Sequence, residues 1–380
     1  MKNTIYKYFF YEFVRYFTIS LFALSIIIWT VQAVNFLDLI TEDGHAFRVY
    51  FLYSLLTVSK VLTKIIPFCF LLSTVLTVLK LEKDNELIVL WTVGLNKIHI
   101  ANLIFRISLL VMFIQLLLTS LINPTLLNYS RSIIKTSQLQ FVPSMFKEKQ
   151  FNDTVEGLTV FVERKTPEQT YHNILIHDQG KILSKIGSPG SSSTIIAKSG
   201  YVSKDEKNLI LLNGNIQKIE AGGDGKVSIV NFEKTSLNLS GISTKSISEP
   251  KMQETSTFKI VNCILNNSNF EKMHNCTPTE KTFINTKVEI NKRFGMPVFI
   301  PLISLICCFL LSSRKDKKLF DYYKYIYFLV GVIILIFAET TVRYSGLSWN
   351  HTLAYYLSPI LMIPIIYFIL IKRFKYENLS

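Results

Sequence analysis

FLYSLLTVSKVLTKIIPFCFLLSTVLTVL, residues 51–79, decides what kind of protein this is. A hydrocarbon core about 30 Å thick needs about 20 helical residues to cross it. This run of about 29 residues, on the order of 44 Å at about 1.5 Å per residue, is longer than one crossing. Its only charges are Lys60 and Lys64. An ionisable side chain in hydrocarbon is costly and usually faces a cavity or a partner, and two lysines four apart share one helix face. Two readings of that face stand side by side. It lines a cavity suited to the phosphate or carboxylate groups of an anionic lipid, or the two side chains snorkel to the outer surface. Pro67, one turn on, is expected to kink the helix or leave a carbonyl free, which would help to open a lateral gap.

Working outward, five more runs are long enough: residues 16–36, 98–122, 294–311, 325–342 and 353–371, for six spans in all. The first follows a basic start but lacks a small-residue cleavage site and outruns a signal-peptide core, so it reads as a span. The composition agrees, since 380 residues with 49% hydrophobic and 18% charged make a chain too apolar for a soluble protein of this size. A net charge of +14 raises nucleic acid as a partner. The basic residues are scattered between spans without a stripe of interleaved aromatics, so that class is set aside. Lys2, Lys7 and Arg15, then Arg314, Lys315, Lys317, Lys318 and Lys324, then Lys372, Arg373 and Lys375 mark the cytoplasmic side. Both termini and the segment at 83–96 then face the cytoplasm, and residues 123–293 face out.

In that outer stretch the hydrophobic period changes from helical to alternating. LTVFVER (158–164), HNILIHD (172–178), NLILLNGNIQKI (208–219) and KVSIVNF (226–232) read as half-buried strands separated by Gly- and Asn-rich turns. Strands of this length and spacing predict an antiparallel sandwich or jelly roll. GSPGSSS (187–193) reads as a flexible turn, and residues 245–286 as the return connection, with a short amphipathic piece near 258–270. Cys69, Cys307 and Cys308 read as small apolar fillers in spans. Cys263 and Cys276 lie outside, where an oxidising compartment would allow them to pair; the sequence leaves that open.

Enzyme signatures are mostly absent. No stretch fits the phosphate-cradling G-x-x-x-x-G-K-[ST], and no His or Cys cluster has metal-ligand spacing. His172 and His177 are expected on opposite faces of one strand. The chain is expected to need no cofactor and no metal, and to draw any energy it uses from another chain. Glu339 and Arg343, four apart near the end of the fifth span, read first as an intrahelical pair, with a part in the cavity also open.

KDNELIVLWTVGLN (83–96) is decorated beyond the needs of a loop. As a helix over about 84–95, capped by Asp84 or Asn85 with Glu86 in the first turn, it places Leu87, Leu90 and Trp91 on one side, and Gly94 stops it. Such a face suits docking into a groove of another protein, or lying flat on the membrane.

These residues resemble the LptF/LptG permeases, the paired membrane subunits of the lipopolysaccharide export transporter of Gram-negative bacteria. NELIVLWTVGLNK (85–97) is similar to the family's coupling segment, in which a glutamate, here Glu86, is followed eight residues later by a glycine, here Gly94. IIAKSGYVSKDEKNLILLNGNIQKI (195–219) resembles the family's A-x-x-G, spacer, L-x-L-x-x-G strand pair. EINKRFGMP (289–297) resembles its E-L-x-x-R-x-x-x-P lead-in to the fourth span. The strand pair and the Lys-Arg lead-in fit the LptF member better.

The resemblance implies an N-terminal membrane half (1–122), a periplasmic β-jelly-roll domain with its return connection (123–290) and a C-terminal membrane half (291–380). It further implies that Glu86, Leu87, Leu90, Trp91 and Gly94 couple to an LptB-like cytoplasmic ATPase dimer. An LptG-like second permease would complete a central cavity in the inner membrane, and LptC-like and LptA-like proteins would form the periplasmic bridge. The cargo would be lipopolysaccharide, moved by a subunit that is not itself an enzyme. The family often has a basic residue where Trp91 stands, so a charge contact with the ATPase would here give way to apolar docking. Two rivals remain: a membrane-anchored envelope scaffold or sensor with a ligand-binding β domain, and a secondary transporter, which would need more intramembrane acids than Glu339.

Overall fold

The computed structural model describes residues 2–41, 46–136, 146, 148–155, 157–166, 170–179, 192–203, 208–219, 227–238, 251–265, 280–312 and 317–379. Packing divides the chain into two units. One comprises residues 1–31, 57–128 and 251–380, the other residues 32–56 and 129–250.

The helices follow the apolar runs and extend past them. In chain order they are α1 (Lys2–Asn35), α2 (Asp38–Thr41), α3 (Phe47–Lys83), α4 (Glu86–Thr92), α5 (Lys97–Leu117), a π-helical turn (Leu118–Ile122) and α6 (Asn123–Thr136). After the strands come α7 (Thr257–Leu265), α8 (Glu280–Gly295), α9 (Phe299–Cys308), α10 (Lys317–Tyr344) and α11 (Trp349–Leu379). Among the described residues six stretches are long and apolar enough to cross a membrane: Thr4–Ile40, Phe47–Lys83, Lys97–Ile134, Phe283–Leu311, Tyr322–Tyr344 and Trp349–Tyr376. The apolar window of the fourth is 78% buried and that of the second 67%, against 6% for the first and 17% for the last two. The second and fourth are therefore the axis of the helical unit, and the others turn apolar side chains outward, as lipid-facing helices do.

The helical core follows from that axis. Every residue of α9 is buried, and Ile300, Ile303, Cys307 and Cys308 join Phe70, Leu71, Val75 and Val78 of α3 and Ile100, Ala101 and Ile104 of α5 in one cluster. Gly331 in α10 allows close approach, since a Cβ there would meet Leu71 Cδ1 at 2.5 Å. Cys69, Cys307 and Cys308 are buried free thiols that serve as packing. Cys263 is disulfide-bonded; Cys276 lies outside the described residues.

The second unit holds β1 (Phe151–Val155), β2 (Leu158–Lys165), β3 (Thr170–Asp178), β4 (Ser192–Val202), β5 (Asn208–Ile219) and β6 (Val227–Asn238). All neighbours are antiparallel and the spatial order is the chain order. Among the described residues this is a meander, in which each strand turns back beside its predecessor, without the crossovers of the jelly roll that the strand spacing predicted. Leu158, Val160, Val162, Tyr171, Ile174, Ile176, Ile195, Ala197, Leu209 and Leu211 form its buried face. Burial pushes the Tyr171 phenol pKa up.

One detail overturns a sequence expectation. Tyr171 and Ile174, three apart, are both inward, because Asn173 takes the left-handed region at φ 51 and resets the alternation. Asn213 in β5 does the same at φ 51, and asparagine tolerates that region better than branched residues. His172 and His177 consequently share the face turned away from the buried cluster, not the opposite faces that strict alternation predicts. His177 Nδ1 lies 2.9 Å from Thr194 Oγ1.

Candidate functional site

Three prolines set the local chemistry of the helical unit. A proline inside a helix has no N–H, so the carbonyl four residues earlier loses its partner. For Pro67 that carbonyl belongs to Thr63, and Gln115 of α5 reaches across to donate Nε2 to it at 2.6 Å. For Pro124 it belongs to Ser120, in the π-helical turn, and Thr257 Oγ1 donates to it. For Pro297 it belongs to Arg293, which Thr119 Oγ1 approaches to 2.9 Å, the same distance as to its own Gln115 carbonyl. Each proline thus stitches its helix to a different element. The free carbonyl expected at Pro67 is present and is taken up by Gln115.

Two of these donors, Gln115 and Thr119, lie in the wall of a cavity of ≈ 360 Å³ lined also by Lys60, Lys64, Glu289, Lys292, Arg293 and Glu339, with Pro67 and Phe68 on its apolar side. Lys60, half-buried, and Lys64, exposed, therefore both line this cavity. Neither lysine has an ion-pair or hydrogen-bond partner among the described residues through its amine. The other charges are engaged. Lys292 Nζ meets Glu339 Oε1 at 2.6 Å. Arg293, 3% exposed, spends all five of its N–H donors: Nε on Glu289 Oε1 at 3.0 Å, Nη1 on Thr255 O and Thr257 Oγ1 at 3.0 and 2.9 Å, and Nη2 on Met252 O and Gln253 O at 3.2 and 3.3 Å. It pins the chain returning from the β unit onto α8. Gln115 Oε1 is buried without a partner among the described residues. The intrahelical pair expected between Glu339 and Arg343 is not made; Glu339 turns to α8 because Lys292 offers a charge partner at the cavity wall.

The segment at 83–96 forms α4, stopped by Gly94 at φ +84. Gly94 N–H donates to Trp91 O at 3.0 Å and Leu95 N–H to Leu90 O at 3.1 Å, which together make a Schellman cap. At the other end Asn85 takes the cap position at φ 59 with no side-chain hydrogen bond, so neither Asp84 nor Asn85 caps α4 as expected. Glu86 Oε1 accepts from Tyr8 Oη of α1 at 2.9 Å. The facing of α4 also differs from expectation. Leu87 is buried at 5% exposure and Leu90 and Trp91 pack on the chain's own core, with Lys97 Nζ over the Trp91 ring at 5.7 Å. The outward apolar face is Ile88, Val89 and Val93, 56%, 59% and 62% exposed. Both sides of ELIVLWTV are apolar, so periodicity alone does not choose between them.

Sequence reasoning reached Lys60, Lys64 and Glu339 because they are charges in apolar runs. It did not single out Gln115, whose signal is a lone amide in the third span, or Thr119. It read Lys292 and Arg293 only as part of a motif, since their partners lie in Glu339 and residues 252–257, remote along the chain.

The sequence profile described as lipopolysaccharide export system permease LptF/LptG matches residues 7–373, nearly the whole chain. An uncharacterized protein of Rickettsia prowazekii (strain Madrid E) is 24% identical over 234 residues, 61% of this chain. The match spans 62% of that protein's length. With that coverage, the six apolar helices and the inserted antiparallel sheet, the chain belongs to the LptF/LptG family of lipopolysaccharide export system permeases.

Proposed function

We propose that this chain is a noncatalytic permease subunit of an ATP-driven exporter, taking lipopolysaccharide from the outer leaflet of the inner membrane and passing it to a periplasmic bridge. The observation that carries this is the pair Lys60 and Lys64, cations on a cavity wall inside an apolar span whose amines make no ion pair or hydrogen bond among the described residues. Cations are retained in such a place where an anionic group visits them. α4 supplies the second half of the reading: it is a short, capped helix with an exposed apolar face, suited to a groove on an LptB-like ATPase dimer. Ile88, Val89 and Val93 make the apolar contact with Glu86 beside them, while Leu87, Leu90 and Trp91 hold α4 on the permease. An LptG-like second permease and LptC-like and LptA-like bridge proteins complete the assembly, with both termini in the cytoplasm and the β unit in the periplasm.

Two measurements test it. A photocrosslinker at Lys64 captures lipopolysaccharide; capture of phospholipid alone refutes the cavity reading. The E86K substitution lowers co-purification of the ATPase subunit, and undiminished recovery refutes coupling through α4.

A further inference from the structure

The cavity wall carries two carboxylates of its own, Glu289 and Glu339. Lys60, Lys64, Lys292 and Arg293 face the cavity against them, a surplus of two positive charges. The two carboxylates are placed differently. Glu289 is bound to Arg293, whose five donors are all used and which is buried, so neither can exchange partners without dismantling the segment at 252–257. The Lys292–Glu339 pair is one contact of 2.6 Å between side chains 31% and 42% exposed, joining α8 to α10 across the cavity wall. Lys292 has a flexible stem and a compact charge that can turn between acceptors. Lys60 and Lys64 line the same cavity, so an anionic group held by them would compete with Glu339 for it.

We propose that Glu339 is the built-in competitor that releases the cavity's anionic ligand, by taking Lys292 back from it. This rests on the proposed role of the cavity. A carrier's site must bind well enough to be entered and weakly enough to be left. A third available lysine would hold a phosphate too long, and Glu339 keeps that lysine occupied whenever the ligand moves away. The ligand chemistry implied is a group bearing at least two negative charges, such as a phosphate monoester pair, because Lys60 and Lys64 supply two positive charges and Lys292 is available only by exchange. Glu339 is thus a specificity and release residue; it needs no direct contact with the ligand.

The test uses the intact transporter in nanodiscs, with a photocrosslinker at Phe68, also in the cavity wall. Bisphosphorylated lipopolysaccharide and phosphatidylglycerol are the probes. Capture is read before and after ATP. E339Q leaves Lys292 available, so capture of the bisphosphorylated lipid rises by about tenfold, the worth of one more charge-assisted hydrogen bond, and its discharge on adding ATP slows. Phosphatidylglycerol, with one charge, gains less. K292Q/E339Q removes the extra lysine together with its competitor and restores discharge to that of the unmodified protein. A merely structural pair would lose capture in both variants. The proposal is overturned if E339Q captures and discharges like the unmodified protein, if it loses capture, or if K292Q/E339Q still discharges slowly. If K60Q/K64Q leaves capture intact, the cavity reading itself falls, and this proposal with it.

Discussion

Replacing Gln115 by leucine tests whether Pro67 and Gln115 are one device. Gln115 is 1% exposed and gives Nε2 to the Thr63 carbonyl at 2.6 Å. In Q115L that carbonyl has no N–H from residue 67 and no side-chain donor, and an unsatisfied buried carbonyl costs about 1–3 kcal/mol. The cost falls toward the lower end, because the substitution also removes the orphaned Oε1 of Gln115. P67A restores the missing N–H to the helix ladder, after which Thr63 no longer needs Gln115. In the P67A background Q115L should therefore cost close to nothing, a coupling of about 1–2 kcal/mol between the two sites, within the range for residues sharing one hydrogen-bond network. Thermal unfolding of the four proteins in one detergent gives the cycle. The reasoning is refuted if Q115L is equally destabilising in both backgrounds to within about 0.4 kcal/mol, the scatter of independent sites.

Three further outcomes follow. R293K keeps the charge and loses two of five donors, leaving carbonyls at residues 252–257 unpaired; it should destabilise by about 1–3 kcal/mol and speed proteolysis there, as read by timed digestion. G94A meets no atom within 4 Å, so its effect is backbone strain alone at φ +84; about 1 kcal/mol lost from the α4 cap should appear as faster amide exchange in residues 86–92 with little change elsewhere. V89D places a charge on the outward face of α4, and should abolish recovery of the ATPase subunit while leaving the permease's melting temperature unchanged, whereas L87D, pointed into the core, should lower both.

The spans were legible because length and apolarity alone satisfy the bilayer, and β2, β3, β5 and β6 because alternation survives in their composition. The start of β4 was not. Ser192 and Ser193 look like turn residues and join the strand through pairing with Ile219 and Lys218, a long-range contact with no local signature. β1, FNDTV, is too short and polar to announce itself and is held by β2. The site divides on the same line. Lys60 and Lys64 are conspicuous in isolation, since charge in hydrocarbon needs a reason. The partners of Lys292 and Arg293 emerge only when α8, α10 and residues 252–257 meet, because no spacing rule links position 292 to 339.

The three proline contacts explain why these elements meet where they do. A proline in a membrane helix leaves a carbonyl that lipid cannot satisfy, so a side-chain donor comes to it, from the same helix where Ser358 serves the Tyr355 carbonyl before Pro359 and from another element in three other cases. Pro67, Pro124 and Pro297 therefore act as addresses: each calls for one polar side chain, and the answers come from Gln115, Thr257 and Thr119. Gln115 of α5 and Thr119 of the π-helical turn that continues it stand one turn apart, so this span is fastened at once to α3 and to the lead-in of α9. Both residues line the cavity that holds Lys60 and Lys64. Two of the three side chains that close the helix bundle at a proline thus also wall the site. The helix that breaks its own hydrogen bonding also turns its two lysines toward that wall. A substitution that repairs the ladder, such as P67A, should then stiffen α3 at the expense of the cavity's capacity to open.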